Sequence, residues 1–385
     1  MNLPTKTSFS PNSPCAEIDV AAYGPPRSPR TWSGTPYHLT AAIEKIIPIR
    51  HAHDALEPKY LKLFSYGMAM LLHRTRSELH RVALTRFARR WFLRLKLGID
   101  PKVPTLHYGT LFVPVPAARG SSHYVFTDAT WHTWADGRKI PEPLWLHIEA
   151  QEKIALQSAR HVFTVSQHAA ESVSKHYDVD PRRVTPVGTG RGGIRPFFGE
   201  KPSGPLRILF VAKERFADKG GELLVDAFRL ARAETDNIEL TIVGQDSYLE
   251  RGDMEGITVK GYVALEELQA LFETSHLFAL PAYHEPWGLV YLEALSCKTA
   301  IVGLRRHAFS EISGNGKFGF IAEEATPEAL AAILLRAARD RNSVITAGEL
   351  GQKHVLENFD WDICARTITD IIQADLSFPE KHLAS

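Results

Sequence analysis

Cysteine is scarce in this chain. Three in 385 residues, Cys15, Cys297 and Cys364, are too few and too scattered for a disulfide framework or a zinc cage, which fits a reducing cytosol. Long apolar runs are missing as well: none approaches the roughly 18 residues of a membrane span. Prolines interrupt MNLPTKTSFSPNSPC, where a signal peptide would need its apolar stretch. Neither sign of charge prevails. Forty-five Lys+Arg against 44 Asp+Glu leave +1, and a protein that coats nucleic acid usually carries a strong basic surplus. There is no H-E-x-x-H, no G-x-S-x-G and no P-loop. What the chain does have is a 44% hydrophobic content, too high for disorder. Its length suits two domains of roughly 100–200 residues each.

Apolar periodicity divides the chain into two rounds of alternation. Residues 1–16 read as a disordered leader. Strands are expected at 17–24, Ile46–Ile49, 105–113, 123–131 and 161–166. Helices are expected at Pro36–Ile46, 57–73, 75–97 and 144–159, with AAESVSKHY as another. The Gly-, Pro- and Arg-rich stretch at 186–206 stops the pattern and marks a boundary. Alternation then restarts: RILFVA, IELTIVG, ITVKGYV, LFALPAY and TAIVGL read as strands with helices between them, and three helices finish the chain. Such alternation predicts an α/β protein of two Rossmann-like, doubly wound parallel sheets facing across a cleft. The expected organisation is a first domain over 17–190, a linker over 191–205 and a second domain over 206–360.

Two segments could carry chemistry, and both follow strands. HEPWGLVYLE, from His284 to Glu293, leaves a strand and opens a helix. In open α/β sheets ligands sit outside the carboxyl ends of strands. The amides of Gly288, Leu289 and Val290 can therefore face an anion, backed by about half a positive charge of helix dipole. Glu293 lies five residues further, about 7.5 Å along the axis. Its two oxygens suit the vicinal diol of a ribose. Glu285 would face the group beyond the phosphates. The second segment, AKERFADKGG (212–221), puts Lys213, Arg215 and Lys219 in one loop, with Gly220 and Gly221 permitting close backbone approach. A basic loop opposite a helix N-terminus is what a diphosphate leaving group requires. Base contacts are expected from the backbone near Tyr262 and Val263.

Together these segments resemble the donor-binding half of the family-4 retaining glycosyltransferases of GT-B fold. RILFVAKERFADKGGELLVDAF resembles their diphosphate loop, and HEPWGLVYLEAL their two-glutamate signature with seven residues between. IVGLRRHAFSEISGNGKFGFI resembles the segment that closes the donor site, and TWSGTPYHL, with Gly34, the first loop of the acceptor domain. HVFTVSQHAAESVSKHYDVDPRRVTPVGTG resembles the strand–helix–strand before the linker. FDWDICARTITDII (359–372), which leads into a helix expected over 361–377, resembles the helix that crosses back onto the first domain. The resemblance implies that Glu285 contacts the donor sugar, Glu293 the ribose, and Lys219 with Lys213 or Arg215 the diphosphate. The family's diphosphate loop commonly begins Gly-Arg, where this chain has Ala212-Lys213, so the arginine's place falls to Lys213 or Arg215. A family histidine that bonds the donor sugar has its place at Asp128, with His132 in reserve.

The implied activity is hexose transfer from a nucleoside-diphosphate sugar to a glycan or lipid-linked acceptor in surface-polysaccharide synthesis. It would retain anomeric configuration and need neither metal nor cofactor. A cytoplasmic place follows, at the inner face of the membrane if the segment from Arg74 to Lys102 lies on anionic lipid. That segment holds nine Lys/Arg against Glu78 and Asp100, interleaved with Leu79, Val82, Phe87, Trp91 and Leu95. Competing readings are a sugar-nucleotide epimerase of the same architecture and a sugar-nucleotide- or glycan-binding protein without turnover. A dinucleotide oxidoreductase lacks its Gly fingerprint after either first strand. GNGKFG (314–319) precedes a short strand and reads as a loop. Asp178 and Asp180 read as a turn, Cys297 as core. His51, His53 and Asp54 offer metal-ligand chemistry with no other clustered ligand to complete it.

Overall fold

A computed structural model describes residues 17–73, 78–96, 103–111, 122–213, 215–244 and 255–377. The expected leader lies outside these residues. The first half runs β1 (Ile18–Ala22), α1 (Thr35–Glu44), β2 (Ile49–Asp54), α2 (Lys59–His73), α3 (Ala83–Lys96), β3 (Thr105–Tyr108), β4 (His123–Thr127), α4 (Trp131–Ala135), α5 (Glu142–Ser158), β5 (His161–Thr164), α6 (Gln167–Tyr177) and β6 (Val184–Pro186). The second runs β7 (Leu206–Val211), α7 (Gly221–Glu234), β8 (Ile238–Val243), β9 (Ile257–Lys260), α8 (Leu265–Thr274), β10 (Leu277–Ala279), α9 (Leu289–Ser296), β11 (Ala300–Leu304), α10 (Phe309–Ile312), β12 (Gly319–Ala322), α11 (Pro327–Arg339), α12 (Arg341–Asn358) and α13 (Trp361–Ser377).

Two six-stranded sheets result, ordered β2-β1-β3-β4-β5-β6 and β12-β11-β10-β7-β8-β9. Every pairing in both is parallel. Strands such as β1, β4 and β11 are buried along their whole length, as a sheet covered on both faces demands. The strand order reverses between β1 and β3 in one sheet and between β7 and β10 in the other. At such switch points the loops diverge and leave a crevice at the carboxyl ends. The loops after β1, β7 and β10 are therefore the ones placed to hold a ligand. α13 returns to the first half: Asp375 accepts from the Tyr124 hydroxyl (3.3 Å) and pairs with Arg160 (3.3 Å), while Asp362 pairs with Lys45 (2.7 Å).

Two elements differ from expectation. The strand expected at Ile46–Ile49 starts only at Ile49, because Ile46 and Ile47 still bond back to Ile43 at the end of α1. The true strand, IRHAHD, is polar because it forms the sheet's edge. The helix expected over 75–97 is interrupted. Glu78 is left-handed and Val82 extended, with a single 3-10 turn between them, so α3 starts at Ala83.

The basic face expected over 74–102 is partly turned inward. Arg86 and Arg89 are fully buried. Arg86 donates to the Thr110 carbonyl (2.5 Å), and Arg89 donates two bonds to Glu57 (2.9 and 3.1 Å) beneath the Tyr23 ring. Arg81 pairs with Glu78 (3.1 Å) and covers Trp134. Residues 74–77 and 97–102 lie outside the described ones.

Candidate active site

The loops at both switch points line one cleft of about 510 Å³ between the two sheets. From the second half it is walled by Lys213, Arg215 and Lys219 after β7, and by Glu285, Trp287, Gly288, Leu289, Val290 and Glu293 around the start of α9. From the first half come Trp32, Ser33, Thr35, His38 and Asp128. Gly34 sits between two of these lining residues.

Backbone geometry explains several of the residue types. Gly288 caps α9 at φ +85°, where a Cβ would press on the Tyr291 ring (2.8 Å) and on Glu285 Cγ (3.0 Å). The bare turn leaves the first amides of α9 open to the cleft. Gly220 plays the matching part at the start of α7: its φ is +76°, and a Cβ would overlap the Pro281 carbonyl. The β7 loop can thus press against the segment that leads from β10 to the glutamates. In the β1 loop, Trp32 and Ser33 adopt left-handed backbones (φ 43° and 54°). That arrangement costs about 1 kcal/mol per residue. It lets Trp32 Nε1 reach across to donate to Asp128 Oδ2 (3.1 Å).

Charge is balanced inside the cleft. Lys219 Nζ is ion-paired with Glu285, and neither is widely exposed. Burial, with Arg215 beside it, pulls the Lys219 ammonium down to about 8. Arg215 leans on Asp218 (3.8 Å) and donates to the His284 carbonyl (3.3 Å), while Lys213 is exposed. Glu293 Oε1 accepts from the Gly193 amide (2.9 Å). Burial nevertheless pushes its carboxyl up to about 7, partly offset by the amides of Gly193 and Ile194. Burial also raises Asp128 above the usual carboxylate range, opposed by the bond from Trp32.

Not every expected residue arrives here. His132 faces elsewhere: its Nδ1 meets Glu149 (3.0 Å) and its ring stacks on His176 at 3.7 Å. The reason is that α4 begins at Trp131 and rotates the next side chain off the cleft. Of the two alternatives, Asp128 alone lines the cavity. Tyr262 and Val263 do not line it either. Tyr262 braces the β7 loop by donating to the Lys213 carbonyl (2.7 Å), and Val263 packs on the core.

Other lining residues escaped sequence reasoning. Gly192 and Gly193, expected as mere linker, form a cleft wall, and a Cβ on Gly192 would overlap the Glu293 carboxylate. Trp287 Nε1 donates to Thr189 Oγ1 (2.8 Å), tying the signature turn to the connecting segment. His38 stacks on Trp361 at the start of α13. The Gly-Gly pair at 192–193 was the available sequence signal for the first. Contacts between segments this far apart left no signal for the others.

His51 and His53 find a third ligand-like neighbour in Asp19, at 3.4 and 3.5 Å. Arg50 already donates to both Asp19 oxygens (3.1 and 2.7 Å), so the charge is met by a guanidinium. Asp54 instead accepts from the amides of Gly24 (3.2 Å) and Leu56 (2.9 Å) and closes a turn.

Comparison with known proteins agrees with this geometry. Residues 195–354 match the family described as Glycosyl transferases group 1. The MMP alpha-(1->4)-mannosyltransferase of Mycolicibacterium hassiacum is 27% identical over 57% of this chain and 56% of its own length. The chain thus spans little more than half of that relative. Glycogen synthase of Mycobacterium tuberculosis is 24% identical over 73% of this chain and 72% of its own. Among solved structures, the sucrose-phosphate synthase of Thermosynechococcus elongatus superposes with a TM-score of 0.66 at 15% identity, covering 94% of this chain and 99% of that one. The chain thus has two parallel sheets facing across a cleft in the GT-B manner, and its second half is similar to the group 1 glycosyltransferases.

Proposed function

We propose that the chain transfers a hexose from a nucleoside-diphosphate sugar to a hydroxyl of a glycan or lipid-linked sugar, with retention at the anomeric carbon. One observation carries the reading. The cations of the β7 loop and the open N-terminus of α9 converge on one cleft, with Glu293 a turn and a half inside. A diphosphate seated at Gly288–Val290 meets amides on one side and Lys219, with Lys213 or Arg215, on the other. As the anomeric C–O bond breaks, negative charge grows on the distal phosphate, and donors already in position stabilise it without reorganising. Cations and amides thereby do what a divalent metal does elsewhere, so turnover is expected to survive chelation.

The remaining residues follow from the same placement. Glu293, ionised, accepts from both ribose hydroxyls. Glu285 gives up Lys219 to the diphosphate and accepts from hydroxyls of the donor sugar. Asp128 faces the same sugar from the opposite sheet. No carboxylate is assigned as a nucleophile; the departing phosphate takes the acceptor's proton. The relatives' names, a mannosyltransferase and glycogen synthase, favour a hexose as the transferred group. Synthesis of a surface polysaccharide at the cytoplasmic face of the membrane fits the lipid-linked acceptor.

The test is a thermal-shift screen of UDP-, GDP- and ADP-sugars, followed by nucleotide release with and without acceptor. Only a ligand of the folded state raises the melting temperature. A shift with acceptor-dependent release supports the proposal. Donor conversion without acceptor indicates an epimerase, and a shift without release indicates a binding protein; either result refutes it.

A further inference from the structure

α2 is built inside out. Of its fifteen residues only Ser65 and Ala69 are buried, two small side chains resting on the protein. Most of its large apolar side chains face outward, Leu61 and Tyr66 being half-buried: Tyr60, Leu63, Phe64, Met68 and Leu71 recur at helical spacing, with Leu63 76% and Leu71 71% exposed. Gly67 lies in the same stripe, where a Cβ would meet nothing within 4 Å. A surface helix ordinarily turns such a stripe toward the core. Phe87 and Trp91, one turn apart on the neighbouring α3, are 61% and 50% exposed. Contiguous exposed apolar surface of this kind marks a site of association.

The charges around it say with what. Between Glu57 and Asp100 the only acidic residue is Glu78, against ten Lys/Arg. Arg81, Arg86 and Arg89 are satisfied internally. Lys59, Lys62 and Arg90 have no carboxylate partner among the described residues. A second copy docked face to face would bring like charges together without an acid to answer them. A bilayer with anionic headgroups answers them, because aromatic and leucine side chains enter the acyl boundary while the lysines stay at phosphate level.

We propose that the outward face of α2, with Phe87 and Trp91 of α3, is a docking surface for anionic lipid bilayers. The surface extends the membrane contact expected over 74–102 to the apolar helix that precedes it, keeping Phe87 and Trp91 from the expected segment. It deepens the reading of a lipid-linked acceptor, and its test does not require turnover. The full chain is sedimented with vesicles of phosphatidylcholine containing roughly 30% phosphatidylglycerol and with phosphatidylcholine alone. Strong partition to the anionic vesicles, weakened by salt, is expected. Leu63→Glu/Leu71→Glu, which alters only exposed positions, should reduce it at least tenfold while leaving the donor thermal shift intact. That shift reports on the proposed activity separately. No partition of the wild type to either vesicle overturns the proposal, as does partition that the double variant leaves unchanged. A wild-type dimer that the variant dissociates, with no lipid binding, overturns it in favour of self-association.

Discussion

Glu293 offers the sharpest test, because its position in the cleft makes two independent demands. Burial raises its carboxyl to about 7 in the folded chain, from the ordinary glutamate value of 4.5. The protonated form is thus favoured by folding. Its contribution to stability is whole below about pH 4.5 and is lost as pH climbs through about 7. At about 1.4 kcal/mol per pH unit, the unliganded protein should lose roughly 2 kcal/mol between pH 5 and pH 8 from this group alone. Glu293→Gln keeps the shape and an oxygen for the Gly193 amide, yet cannot ionise. Urea unfolding followed at both pH values should show the variant gaining about 2 kcal/mol on the wild type at the higher pH. The same variant should bind nucleotide-sugar at least tenfold more weakly at pH 8, since one amide oxygen cannot accept from both ribose hydroxyls. Parallel stability curves would refute the burial argument, and unchanged donor affinity would refute the ribose role.

Four further outcomes follow from the structure. Lys219→Ala should lower kcat by roughly 10²–10³, as removal of a positioned charge donor does elsewhere. In the wild type, kcat/KM should decline above about pH 8 as this lysine loses its proton; a profile flat to pH 9 contradicts its part in donor capture. Gly288→Ala should destabilise by about 1–3 kcal/mol and weaken donor binding, because its φ of +85° and the Tyr291 ring both resist a Cβ; calorimetry with and without nucleotide would separate the two effects. Glu57→Ala strands the buried Arg89 guanidinium and should cost about 3–5 kcal/mol, read by urea unfolding. A cost below about 1 kcal/mol would mean that Arg89 finds another partner.

Much of the architecture was legible before any coordinates. Strand–helix alternation in two rounds requires parallel sheets, and the loop after β7 and the turn before α9 stand out by composition alone. Periodicity failed where polarity is set by position in the sheet. β2 reads as IRHAHD because it is an edge strand, whereas the apolar run beside it belongs to the end of α1. It failed again at Arg86 and Arg89, whose charge suggested an exposed face and whose partners, Thr110 and Glu57, lie more than twenty residues away.

Sequence alone therefore determined the residue chemistry on each loop: which turns need glycine, where cations gather and where a carboxylate follows a helix start. Those are properties of neighbours along the chain, set by backbone sterics and helical rise. Tertiary structure alone decided which loops share a cleft. Strand order placed the β7 and β10 loops at one switch point, brought Asp128 rather than His132 to the opposing wall, and set Gly192 and Gly193 against Glu293. It also turned the apolar side of α2 outward. Local periodicity states that a helix has an apolar face, but only packing against the rest of the molecule decides whether that face is covered.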